Sequence, residues 1–230
     1  MKNYPVNLSL AGCLVVVVGA GAVGQRKIAR LALAEPDRIR VVDPALAHNE
    51  RKEELLAILG QHPHIPYDII ARPAEETDFI DATLAFAATN NTTINQQVAD
   101  FCKRHKVLCN RADAENNDFT VPALVAVDDI IMTLSTGGAS PALAKQLRLD
   151  IESLIGKRYS GLCGVLQRIR PLLLGLNRPT SENTMVFTQL VKSPLGDFLA
   201  QNNKAAAHTL LAEILPEALH IHIEKVLYDV

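Results

Sequence analysis

The run CLVVVVGAGAVG, residues 13–24, limits the fold more than any other stretch of this chain. Its apolar, largely β-branched opening ends in glycine, as a strand buried on both faces reads. GAGAVG then meets the GxGxxG spacing at the entry to a helix, AVGQRKIARLALA, whose Val23, Ile28 and Leu31 are spaced for one buried face. In that context each glycine has its own task. Gly19 permits the tight turn, Gly21 lets a pyrophosphate approach the backbone, and Gly24 lets helix and strand pack closely. The helix N-terminus adds free N–H groups and a favourable dipole. Asp43 closes the next strand, RIRVVD, about 20 residues on, where a carboxylate accepts ribose hydroxyls. The same charge repels a 2′-phosphate, so the expected cofactor is NAD rather than NADP.

The alternation continues. ALAHNERKEELLAIL reads as a second helix, YDIIA and LAFAAT as strands, TINQQVADFCKRH as a helix, and VLCN as a fifth, buried strand. Strands alternating with helices argue for an α/β fold with a parallel Rossmann-type sheet. This domain is expected to fill residues 1–113. FTVPALVAV and DIIMTLST, joined by the polar turn DD, then read as a hairpin. GGASPALAKQLRLDIESLI is a glycine turn entering a helix, with Ser140 as N-cap and Pro141 in the first helical position. From about residue 160 the pattern is helical, with breaks expected near Pro171, NRPT and Pro216. A connector over 114–145 and a helical C-terminal domain over 146–230 complete the expected organisation.

Several function classes are disfavoured by composition. Aromatic residues make up 4% of the chain, with no Trp, and the net charge is −2, which argues against a nucleic-acid surface. No run approaches the roughly 20 apolar residues of a membrane span, and MKNYPVNLSLAG lacks the apolar stretch of a signal peptide. A soluble cytoplasmic protein is expected. Cys13, Cys102, Cys109 and Cys163 form no CxxC pair, so neither a disulfide framework nor a zinc site is expected. The pairs His62/His64 and His220/His222 share a face only on a strand, and no metal site is assigned.

Loops at the carboxyl ends of parallel strands line the ligand crevice. Thr89 and Asn90, closing the fourth strand, are therefore placed near the nicotinamide, although Asn91 or Thr92 there equally serves as a plain helix cap. CNRAD closes the fifth strand. Asp113 can exchange a proton beside a hydride acceptor, and Arg111 can hold an acidic substrate or pair with Asp113, Glu115 or Asp118. The competing reading of DAENND is a solvated acidic turn. STGGASP, residues 135–141, suits an anion by its backbone geometry, or is simply a tight strand-to-helix connection.

Taken in order, VVVVGAGAVGQRK, AFAATNNTTINQQV, VLCNRADAENNDFTVPALV and MTLSTGGASPALAKQLR resemble the siroheme-synthase dehydrogenase family, from about residue 5 to about residue 155. The resemblance implies NAD-dependent oxidation of precorrin-2 to sirohydrochlorin, and in some members insertion of ferrous iron. It places NAD against Ala22, Val23, Asp43 and Pro44, and gives Asp113 the role of the family's strand-end aspartate. It also implies a homodimer interlocked through the connector, whose STGGASP stretch, with Thr136, Gly137 and Gly138, walls the tetrapyrrole site. Asn110, Arg26, Lys27, Arg111, Lys145 and Arg148 are candidate substrate contacts. The methyltransferase domain of fused siroheme synthases is not found in this sequence, so another protein would supply precorrin-2. A regulatory NAD-sensing module is the competing reading from another class.

Overall fold

The computed structural model describes residues 4–127 and 130–228, with the backbone alone at 156–158 and 160. The chain divides into two compact units, Met1–Val121 and Pro122–Val230.

The first unit is built on five parallel strands: β1 (Leu14–Val18), β2 (Arg38–Val42), β3 (Tyr67–Ile70), β4 (Ala82–Ala87) and β5 (Leu108–Arg111). Their order is β3-β2-β1-β4-β5, every neighbouring pair parallel. Helices α1 (Ala22–Ala32), α2 (Asn49–Leu59) and α3 (Thr92–His105) cover the sheet. Val15 and Val17 pack with Ile28, Leu55 and Leu59 from α1 and α2, while Val16 and Val18 pack with Phe79, Val98 and Phe101 on the α3 side. Apolar residues are needed on both faces of β1, which is why its sequence, one leucine and four valines, is unbroken apolar rather than alternating. Strand order reverses between β1 and β4, and the crevice at their carboxyl ends is where an open α/β sheet takes its ligand.

Three expectations for this unit are corrected. Val23 does not join Ile28 and Leu31 on the buried face of α1, since it stands exposed on the helix's first turn. The helix read over 45–59 is two pieces: a 3₁₀ turn, Pro44–Ala47, then α2, separated by extended backbone at His48 (φ −92, ψ 131). The reason is local, since the Asp43 carboxylate caps Ala45 N–H and closes the first turn early. The fifth strand is not fully buried either. β5 is a sheet edge, and Leu108 is 41% exposed.

In the second unit, β6 (Ala123–Val127) and β7 (Ile130–Leu134) pair antiparallel as the expected hairpin. Its DD turn falls outside the described residues. Helix α4 (Pro141–Gly175) follows, with Ser140 Oγ accepting from Leu143 N–H and Pro141 at the first turn, as the sequence indicates. The break expected at Pro171 is absent, because α4 runs through it. An interior proline costs about 3 kcal/mol. Ile169 and Leu173 flank it, both fully buried, and each burial contributes about 1.5–3 kcal/mol, enough to offset that cost.

Helices α5 (Thr180–Lys192), α6 (Leu195–Ala200), α7 (Lys204–Ile214) and α8 (Ile223–Val226) complete the unit. Leu162, Val165, Ile169 and Leu173 form its core with Leu190, Leu195, Leu211 and Ile223. The terminal LHIHIEKV segment is helical, so His220 and His222 do not share a strand face. The contact division falls after Val121, and α4 crosses residues 145–146 without interruption, so neither expected boundary coincides with it. No helix among the described residues is long and apolar enough to cross a membrane.

Candidate dinucleotide site and strand-end cluster

The glycine loop is fixed by close packing. Gly19 has φ of 100°, and a Cβ there would lie 2.6 Å from Ala88 O; a Cβ on Gly24 would lie 1.8 Å from Gly19 O. Only hydrogen fits at either position. Gly21 differs: the nearest atom to its would-be Cβ is Arg51 Nη1, at 3.4 Å. The space over Gly21 is therefore bounded only by the far end of a flexible side chain, which can yield to a closely approaching pyrophosphate. Gly21 caps α1 without a side-chain hydrogen bond, and no acidic residue sits in that helix's first turn. Ala22 and Val23 on that turn, and Pro44 beyond β2, are exposed. The first-turn amides, the open glycine and the exposed flanks fit a dinucleotide phosphate.

Asp43 has a second task that the sequence did not disclose. Its Oδ2 accepts from Ala20 N–H at 2.7 Å and its Oδ1 from Ala45 N–H at 2.8 Å. The carboxylate thus braces the glycine loop to the end of β2, and each oxygen keeps a further lone pair for a ribose hydroxyl.

At the end of β4, the helix-cap reading holds for Asn91, whose Oδ1 accepts from Thr93 and Ile94 N–H. Thr89 is tied down by Asn95, a fully buried amide on α3. Asn95 Oδ1 accepts from Thr89 Oγ1 at 2.7 Å and from Thr89 N–H at 3.1 Å, and Nδ2 donates to Thr89 O. Asn90 is exposed beside this lock.

The polar crowd after β5 is mostly an edge cap. Asp118 Oδ2 accepts from Cys109 N–H at 2.9 Å, and Asn117 Oδ1 accepts from Arg111 N–H. Asn117 Nδ2 returns bonds to Arg111 O and Ala114 O. These side chains take the place of a missing neighbour strand, as an unpaired edge requires. The solvated-turn reading is therefore corrected for Asp118, and Asn117 is a further edge-capping residue beyond those the sequence motifs mark. An Asn and Asp six to nine residues beyond the strand residues they serve were the available signal.

Two charged groups stand at this end. Arg111 Nε lies 3.2 Å from Asp113 Oδ1 and Nη2 lies 3.1 Å from Oδ2, while Nη1 donates to Gln96 Oε1. Arg111 holds the Asp113 carboxyl below its ordinary range. On the other face, Lys27 Nζ donates to Asn110 Oδ1 at 2.9 Å and sits 4.6 Å from the Phe86 ring centre, while Asn110 Nδ2 donates to Phe119 O. Burial, then the charges of Arg30 and Arg26, push the Lys27 ammonium down. Asn110 is buried with both ends of its amide engaged, so it serves as a tie from α1 to β5.

The remaining expected substrate residues lie in the second unit. Gly137 and Gly138 have φ of 64° and 86°, and Thr136 Oγ1 bonds the Ser140 backbone, which forms a tight connection into α4. Lys145 is exposed on α4, where Arg148 pairs with Glu152 at 2.6 Å. Among the described residues no three His, Cys, Asp or Glu side chains are grouped to hold a metal ion.

Sheet order, open glycine loop and strand-end carboxylates together define a dinucleotide-binding protein of Rossmann type. The chain belongs to the putative NAD(P)-binding family, which matches residues 6–123. It is similar to the siroheme synthase of Nitrosomonas europaea, 31% identical over 218 residues, covering 94% of this chain and 44% of that protein. It is also similar to the siroheme synthase of Thioalkalivibrio sulfidiphilus, 29% identical over 222 residues, covering 95% of this chain and 43% of that protein. The chain thus spans less than half the length of these relatives. Among solved structures it is similar to SirC, precorrin-2 dehydrogenase, with a TM-score of 0.72 and 25% identity, covering 92% of this chain and 98% of that one.

Proposed function

We propose that the chain oxidises precorrin-2 to sirohydrochlorin with NAD⁺. The observation that carries this reading is the likeness to SirC, precorrin-2 dehydrogenase, which extends over nearly the whole of both chains. An intact cradle for the cofactor phosphate supports it, with Gly19, Gly21, Gly24, Ala22 and Val23 at the glycine loop and Asp43 and Pro44 at the end of β2. Asp43 favours NAD over NADP, because its carboxylate repels a 2′-phosphate. Asn90 and Thr89 flank the nicotinamide end.

When bound, NAD⁺ supplies the hydride acceptor, and the reaction releases NADH and a proton. The protein orients the macrocycle and takes the proton. Asp113 is the proton acceptor. With Arg111 paired to it the carboxylate is a weak base. A substrate carboxylate that draws the Arg111 guanidinium away, and a macrocycle that excludes water, both raise the basicity of Asp113 as substrate arrives.

The working form is a homodimer. Ile131 on β7 and Leu143 and Leu154 on α4 support this, since they are 61%, 50% and 76% exposed in the single chain. Anaerobic incubation with enzymatically generated precorrin-2 and NAD⁺ tests the function. Appearance of the sirohydrochlorin spectrum is expected, and an unchanged precorrin-2 spectrum would overturn the reading. A parallel arm with sirohydrochlorin and Fe²⁺ decides whether iron insertion accompanies it.

A further inference from the structure

We propose that Arg51 is a phosphate clamp of the dinucleotide site, its guanidinium closing over the open face of Gly21 to hold the cofactor's pyrophosphate. The inference rests on the NAD reading above and adds a residue to it that no glycine-loop motif includes. Arg51 is the third residue of α2, and its Nη1 is the nearest atom to the space over Gly21, 3.4 Å from where a Cβ would stand. That space is where close approach by a phosphate is sterically free. Arg51 is exposed and makes no hydrogen bond or ion pair with the described residues.

The lack of a partner has a local cause. Glu54, one turn further along α2, is the natural ion-pair partner at this spacing. Its Oε2 instead accepts from Gln25 Nε2 at 2.8 Å, and the same Gln25 amide donates to Ala20 O at 3.1 Å. Gln25 thereby ties α2 to the glycine loop and engages one oxygen of the carboxylate at that spacing, and no Arg51–Glu54 pair forms. The fully buried Leu55 anchors the same turn of α2 in the core. An unpaired guanidinium is thus held over the loop on a braced helix. Its planar fork matches phosphate oxygens bidentately, and the α1 amides meet the same group from below.

A phosphate here comes from one of two places on a dinucleotide, the pyrophosphate or the 2′-phosphate of NADP. Calorimetric titration of the whole protein with NAD⁺, NADP⁺ and ADP separates them. Arg51→Ala is expected to weaken NAD⁺ and ADP alike by about tenfold, the loss of a single charge-assisted contact. Arg51→Lys should recover part of that loss, and both variants should melt at the wild-type temperature because the side chain is exposed. Unchanged NAD⁺ and ADP affinity in Arg51→Ala would overturn the proposal. So would a loss confined to NADP⁺, which would place the guanidinium on the 2′-phosphate. Wild-type protein that binds none of the three would instead overturn the cofactor assignment on which the proposal stands.

Discussion

Arg111 grips the carboxylate of Asp113 through both oxygens, Nε to Oδ1 at 3.2 Å and Nη2 to Oδ2 at 3.1 Å, two residues apart at the open end of β5. The proposed base is therefore stored as half of an ion pair. Asp113→Asn is expected to lower turnover at least about 100-fold, the usual contribution of a positioned general base, while leaving NAD⁺ affinity unchanged. Steady-state kinetics beside a cofactor titration checks this, and full turnover in the variant would remove Asp113 from the mechanism.

Arg111→Gln gives the complementary test. Arg111 holds the Asp113 carboxyl down, so its removal raises that pKa. A base works only when deprotonated, so the acid limb of the kcat/KM profile should move to higher pH in Arg111→Gln. A limb that stays in place would mean that another group titrates.

The glycine loop makes a prediction that separates folding from binding. A methyl group on Gly24 would meet Gly19 O at 1.8 Å, whereas one on Gly21 meets only the flexible end of Arg51 at 3.4 Å. Gly24→Ala should destabilise the first unit by about 1–3 kcal/mol through overpacking, and should lower the urea midpoint. Gly21→Ala should keep the wild-type midpoint and lose NAD⁺ affinity, because the methyl fills the phosphate's space. Equal effects at the two positions would contradict this division of roles.

The cap on β5 predicts a stability change remote from the chemistry. Asp118→Ala leaves the Cys109 N–H on the sheet edge without its carboxylate acceptor. A loss of about 1–2 kcal/mol is expected, seen as a lower urea midpoint with an unchanged slope. A midpoint equal to wild type would show that water replaces the bond at no cost.

These outcomes also show which features a sequence displays. Val15–Val18 and the glycine spacing were legible because burial on both faces and steric exclusion act on residues adjacent in the chain. Ser140 and Pro141 were legible for the same reason, being local to one helix start. The edge position of β5 depends on strand order in space, which its own four residues do not encode. Pro171 misled because the burial of Ile169 and Leu173 that carries α4 through it comes from other helices. Arg111 was placed correctly as a charge at the strand end, but several carboxylates nearby were equally possible partners until the chain turn was known. Asp43 was expected as a ribose contact, and its bond to Ala20 N–H needs the loop geometry to be seen.

Acid stability offers a check on the α3 side of the sheet. The Glu76 carboxyl is pushed down to about 2, first by its hydrogen bonds from Arg104 and then by His105. A carboxyl lowered on folding adds stability above its ordinary pKa of 4.5, and loses it as pH falls toward about 2. Thermal melts of Glu76→Gln should therefore lie below wild type at neutral pH and converge with it in acid. Parallel curves over that window would show that the ion pair contributes nothing to stability.

Hydride transfer from a reduced tetrapyrrole to NAD⁺ is the step on which the proposed function rests. Following NADH absorbance under anaerobic conditions, with precorrin-2 generated enzymatically and NAD⁺ in excess, tests cofactor, substrate and reaction together. NADH is predicted to form in step with sirohydrochlorin and to depend on Asp113. Folded, NAD⁺-binding protein that yields no NADH from precorrin-2 would contradict the central claim and point to a cofactor-sensing role instead.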